Sequence, residues 1–144
     1  MATFPKKEMK QFLARVAIVV DDYDTAIDFY VNKLRFTLVE DTPLDDKKRW
    51  VVVRPPGANK ESASLLLAKG VGNEQRAHIG NQTGGRVFLF LFTDDFTRDY
   101  DHLIGQKITI VRPPTDFPYG RVAVFSDLYG NLWDLIEPAS EAIW

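Results

Sequence analysis

One pattern, met twice along the chain, constrains the fold more than any other. A short strand-like run ends in a pair of aspartates, an amphipathic helix follows, and three further strand-like runs complete the unit. In the first copy Phe12–Val20, rich in Val and Ile, ends at Asp21-Asp22, whose carboxylates suit a helix N-cap. Tyr23–Leu34 then carries Ala26, Ile27, Tyr30, Val31 and Leu34 at helical spacing. Phe36–Glu40, Arg49–Arg54 and Ala63–Ala68 read as strands, separated by Asp45-Asp46-Lys47-Lys48 and Pro55-Pro56-Gly57. After a polar, glycine-rich linker the order restarts: strand Arg86–Phe92, acidic pair Asp94-Asp95, helix Phe96–Ile104 closed by Gly105, then strands Ile108–Val111, Arg121–Phe125 and Leu132–Ile136. The expectation is an α+β fold of two tandem βαβββ modules forming curved mixed sheets around a cleft. Module one covers about 12–69, the linker 70–85 and module two about 86–138, all within a single domain of 144 residues.

Composition narrows the function. With no cysteine, disulfides, thiolate metal sites and cysteine nucleophiles are excluded. A net charge of -2, with Lys and Arg scattered, argues against nucleic acid and anionic membrane as partners. The longest apolar run, Val87–Phe92, is far below the roughly 20 residues a membrane helix needs. The charged segment Met1–Gln11 has no apolar signal core, so the expected location is the cytoplasm. No Gly-x-Ser-x-Gly, phosphate-binding glycine loop or His-Glu-x-x-His occurs.

Three segments carry a resemblance to a known family. Arg15–Tyr30 is a strand running into a capped helix that ends in Phe-Tyr, and Leu34-Arg35-Phe36 looks like a Leu-Gly-Phe helix-to-strand junction. Asp127-Leu-Tyr-Gly-Asn-Leu-Trp-Asp134 is similar to an Asp-Pro-Asp-Gly-Asn turn followed by an acidic strand. In order and separation they resemble the vicinal-oxygen-chelate superfamily, the glyoxalase / bleomycin-resistance / extradiol-dioxygenase group. The resemblance implies paired modules around a cleft and frequent homodimers. It also implies chemistry that ranges from metal-dependent isomerisation and ring cleavage to metal-free antibiotic sequestration.

Catalytic relatives hold a divalent metal through a histidine on each module's first strand and a carboxylate on each module's last. At those positions this chain places Arg15, an acid-free Ala63–Ala68 and Phe88 (or Arg86 or Phe90 after a two-residue slip); only Asp134 is a carboxylate. A guanidinium has no lone pair for a metal. No cofactor is therefore expected; the alternative is Zn, Ni, Mn or Fe held by Asp134 with His78. The other histidine, His102, falls on the second helix.

Strand alternation puts Arg15, Ala17 and Val19 on one face and Arg86, Phe88, Phe90 and Phe92 on another, giving an aromatic cleft wall with cationic groups. Arg15, Trp50, Arg86, Phe88, Phe90, Phe92, Tyr119 and Asp134 are the ligand-binding candidates for a small aromatic or amphipathic partner. Trp133, opposite Asp134, is expected against a helix or a partner subunit. The bland readings stay open: a filled core behind the phenylalanine stripe, an Arg15–Asp134 ion pair between modules, and an ordinary polar linker at Asn81-Gln82-Thr83. Three functions follow. The first is a metal-free glyoxalase/bleomycin-resistance-type binding protein. The second is a lyase, isomerase or dioxygenase with an altered site in which Asp134 is catalytic, and the third is a dimeric interaction module without a ligand.

Overall fold

A computed structural model describing residues 8–140 shows the repeat as two four-stranded sheets, one per module. In module one, β1 (Arg15–Val20) leads into α1 (Tyr23–Ile27) and a π-helical turn, Asp28–Lys33. β2 (Thr37–Pro43), β3 (Arg49–Arg54) and β4 (Ser64–Lys69) then complete sheet A in the order β1-β4-β3-β2. Module two repeats this with β5 (Val87–Phe92), α3 (Phe96–Gly105), β6 (Ile110–Phe117), β7 (Gly120–Ser126) and β8 (Leu132–Pro138), ordered β5-β8-β7-β6 in sheet B. In both sheets the first strand runs parallel to the last and the other neighbours are antiparallel.

The second aspartate of each acidic pair does the capping. Asp22 accepts from the Thr25 backbone N–H at 2.9 Å, and Asp95 accepts from the Arg98 N–H at 3.0 Å. The Thr25 bonds hold the Asp22 carboxyl below the ordinary range.

Several elements differ from the sequence expectation: the first helix ends in a π-helical turn, β2 runs on to Pro43, and α3 takes in Gly105, the left-handed C′ residue being Lys107. β1 begins at Arg15, leaving Phe12 and Leu13 exposed before it. β6 continues through Pro113-Pro114, which cannot donate to a ladder. It survives because it is an edge strand whose pairing with β7 is interrupted by two register shifts. The linker contains a short helix, α2 (Gly72–Arg76), with no buried residue, so no apolar period announced it.

The helices lie between the two sheets. Ile18, Val20, Val51, Val53, Leu65 and Leu67 point from sheet A into the same buried cluster as Ala123, Phe125, Trp133 and Leu135 from sheet B. Tyr30 and Phe36 of module one meet Trp133 of module two at centroid distances of 6.0 and 5.9 Å, and Trp133 stacks on Phe125. Trp133 thus lies on the helix side, opposite Asp134, as alternation required.

One polar contact is set within this apolar seam. The hydroxyl of fully buried Tyr30 donates to Asp127 Oδ2 at 2.7 Å. Asp127 also accepts from the backbone N–H groups of Tyr129, Gly130 and Asn131 and from the Asn131 side-chain amide, all at 2.9–3.0 Å. Burial pushes the Tyr30 hydroxyl pKa well up, and the neighbouring Asp127 charge adds to the rise. The nearby Trp133 indole acts in the opposite sense, although its N–H forms no hydrogen bond of good geometry.

The linker is held against the same turn. Gly80 has φ +75, and a Cβ there would lie 1.9 Å from the Tyr129 carbonyl oxygen. Two residues on, the Gln82 side chain accepts from the Val19 N–H and donates to the Ala17 carbonyl. It thereby covers the free edge of β1 as a pairing strand would.

Tyr30→Phe removes one charge-assisted bond and leaves a buried carboxylate with one partner fewer. It is expected to cost about 1.5–3 kcal/mol in urea unfolding; an unchanged midpoint and slope would show that the seam does not rely on this bond.

Candidate functional site

Because the helices sit between the sheets, each sheet turns its other face outward. On sheet B one rung crosses all four strands of that outer face: Phe90 of β5, Asp134 of β8, Val124 of β7 and Arg112 of β6. Phe90 is 61% exposed, an unusual state for a phenylalanine in mid-strand. Asp134 is half-buried, and burial pushes its carboxyl pKa above the ordinary carboxylate range, with Arg112 pulling the other way. Below the rung lie Val122 and Ile136, both buried and both outside the shared core cluster.

On sheet A the corresponding face carries Arg15 beside Ser64, then Ala17, Leu66, Val52 and Glu40 across one rung. Trp50 is half-buried at its far end, where it lines a recess of about 1090 Å³ with Leu66, Ala68, Lys69 and Lys48. The acidic residues at the mouth, Asp45 and Asp46, lie on the same turn as Lys47 and Lys48. Asp45 is held below the ordinary carboxylate range by the N–H groups of Lys47 and Lys48. The lining thus sets the Trp50 ring among both signs of charge, Lys47, Lys48, Arg49 and Lys69 with Asp22, Asp45 and Asp46.

Few metal-binding donors stand at these outer-face positions. On the outer faces Arg15 begins β1, Ser64, Leu66 and Ala68 represent β4, Phe90 represents β5, and Asp134 stands as the lone carboxylate among those positions. Among the described residues no three His, Cys, Asp or Glu side chains converge to hold an ion. His78 is exposed in the turn after α2, and His102 is tied up on the helix side.

Of the residues singled out from the sequence, the structure gathers two groups. Phe90 and Asp134 share a rung on sheet B, with Phe92 two residues on at the end of β5 beside Ile136. Arg15 and Trp50 share the outer face of sheet A. Within one chain Arg15 forms no ion pair with Asp134: the two belong to faces that look away from each other. Tyr119 lies at the β6–β7 turn, stacked on Phe117 with centroids 5.2 Å apart, and both rings are exposed.

Simple alternation fails at the start of β5. A bulge shifts the β5–β8 register between Val87 and Leu89, so Val87 faces with Leu132 and Phe90 faces with Asp134. Phe88 is thereby turned against the buried core and leaves the stripe of Phe90 and Phe92. Arg86, just before the strand, is exposed, and its carbonyl accepts from the Thr83 hydroxyl. Alternation therefore does not carry Arg86 or Phe88 onto the Phe90 face. Arg112 went unnoticed as a site residue because Pro113-Pro114 read as the end of its strand; an edge strand tolerates prolines.

The outer faces and the βαβββ repeat have counterparts in known proteins. A family model described as the Glyoxalase/Bleomycin resistance protein/Dioxygenase superfamily matches residues 12–135. An uncharacterized protein of Shewanella frigidimarina is 61% identical over 130 residues, covering 90% of this chain and 95% of its own. The crystal structure of UcmS2 is 30% identical, with a TM-score of 0.77 over 90% of this chain and 99% of that one. TnmS3, an antibiotic binding protein from Streptomyces sp. CB03234, is also 30% identical, with a TM-score of 0.73 over 92% and 100%. Among the described residues no helix is long and apolar enough to cross a membrane.

The raised Asp134 pKa has a definite sign. A carboxyl with a higher pKa folded than unfolded favours the folded state most at low pH, and that contribution is lost as the pH rises through the folded value. In the monomeric chain, at dilutions where no second copy covers this face, Asp134→Asn should therefore unfold at higher denaturant than the wild type at pH 7, the gap closing below pH 3.8, the unperturbed value. Lower stability of the variant at pH 7 would mean that the carboxylate is satisfied rather than stranded.

Proposed function

This chain belongs to the Glyoxalase/Bleomycin resistance protein/Dioxygenase superfamily, and from that premise we propose that it is a binding protein for a small aromatic or amphipathic molecule. The observation that carries this reading is the sheet B rung, where a largely exposed Phe90 sits beside a half-buried, electrostatically uncomfortable Asp134. An exposed aromatic next to convergent polar groups is the ordinary composition of a ligand wall. The antibiotic-binding activity named for TnmS3 supports the same reading for a chain of this similarity.

A wall needs an opposite wall. The helix layer keeps the outer faces of sheets A and B apart in one chain, so a second copy supplies the complement. In a homodimer, sheet A of one protomer covers sheet B of its partner. Arg15 and Trp50 then lie over a face bearing Asp134 and Phe90, and Glu40 over one bearing Arg112, with opposite charges matched. Phe117 and Tyr119 flank the opening. The cleft works without a metal, in a cytoplasmic protein. A second reading, proton transfer by Asp134, is favoured by its raised pKa; conversion of a bound ligand, lost in Asp134→Asn, would promote it.

Anthraquinone-2-sulfonate, planar and singly anionic, is a suitable probe for intrinsic tryptophan fluorescence. Saturable quenching is expected, with binding weakened about tenfold or more in Phe90→Ala as stacking area is lost. Sedimentation should show a dimer. A monomer that binds no probe, or equal affinity in the variant, would overturn the proposal.

A further inference from the structure

A second cavity lies on the helix side, on the opposite face of sheet B from the Phe90 ring, with Leu91 and Phe92 at the end of β5 in its lining. It is a crevice of about 560 Å³ between the modules, bounded by the end of the π-helical turn, the Pro55-Pro56-Gly57 turn and α3. Its floor is apolar, formed by Phe36, Leu91, Leu103, Phe125 and Leu135. At its mouth stands Arg35.

The backbone of Arg35 is strained. With φ +65 it follows the helix at the C′ position, a left-handed conformation that glycine adopts without penalty and arginine does not. Lys107 takes the same conformation (φ +58) after α3, so the positive φ marks a helix end common to both modules, and what sets Arg35 apart is the place of its side chain. Arg35 Nη2 lies 2.6 Å from His102 Nδ1, and His102 Nε2 lies 2.6 Å from the Lys33 carbonyl oxygen. A guanidinium can only donate and a carbonyl only accept, so Nδ1 accepts from Arg35 and Nε2 donates to Lys33. The imidazole therefore holds the guanidinium from one side; among the described residues its other nitrogens form no hydrogen bond, while its charge also acts on nearby Asp99.

The other polar groups of the crevice are already satisfied. Arg98 donates to Asp94 and, through two nitrogens, to Asp99, which also accepts from the Thr93 hydroxyl. Arg35 forms no ion pair among the described residues. We propose that this crevice is a second ligand site, for an apolar carboxylic acid whose chain or ring lies along the inter-module floor and whose carboxylate is bound by Arg35. Such a ligand bridges both modules and uses the donors the structure leaves uncommitted.

Decanoate is the probe, followed through backbone amide shifts in a two-dimensional NMR titration of the full chain. Saturable shifts are expected at Leu34–Phe36, Gly57, Leu91 and Leu103. Arg35→Gly relieves the strain, so it should melt no lower than the wild type while binding decanoate about tenfold more weakly. Decan-1-ol, without a carboxylate, should not distinguish the two proteins. Phe90→Ala should leave decanoate binding unchanged, which separates this site from the outer-face cleft. Shifts confined to Phe90 and Asp134, no binding at all, or equal decanoate affinity in Arg35→Gly would overturn the assignment.

Discussion

The bond from Tyr30 to Asp127 is the contact on which the arrangement of this molecule rests. Tyr30 belongs to module one and Asp127 to the turn that opens the last strand of module two. A carboxylate that shares three backbone N–H groups, an amide and a phenol is fully satisfied only when the two modules are docked in one way. Aromatic packing of Phe36, Trp133 and Phe125 supplies the buried area, but area alone is tolerant of rotation and slip. The directional bond removes that tolerance. Gly80 and Gln82 extend the same lock to the linker and the β1 edge.

From that docking the location of the chemistry follows. A helix layer between the sheets leaves two outer faces, one bearing Arg15 and Trp50, the other Phe90, Asp134 and Arg112. Where the resemblance puts metal ligands stand Arg15, an acid-free β4 and an aromatic ring. The single carboxylate that remains is half-buried and held away from its ordinary pKa by burial. We propose that such a surface grips a planar molecule and does not polarise one through a Lewis acid.

Much of this was legible in the residues. The paired aspartates marked both helix starts because capping is a local bond between a side chain and an N–H three residues on. Alternation placed Trp133 and Asp134 on opposite faces because β8 is regular. It failed for Phe88 because a bulge inserts one residue and flips everything before it, and no glycine or proline signals that bulge. Arg112 was hidden behind two prolines that an edge strand accommodates. Which faces meet within a chain was not legible at all. That depends on Tyr30 finding Asp127 across 97 residues, a pairing with no local signature. Arg35 was visible only as a departure from glycine, and its meaning came from His102 and from the crevice beside it.

The central claim is that the two outer faces meet between copies and not within one chain. The absence of cysteine makes a direct test simple. In the double variant Arg15→Cys/Asp134→Cys, a short thiol-reactive cross-linker applied to dilute protein should give covalent dimers that run at twice the chain mass under denaturing conditions. Equal mixtures of the two single variants should give the same dimers. Cross-linking that closes a loop within one chain, leaving monomers in the double variant and no dimer from the mixture, would contradict the account.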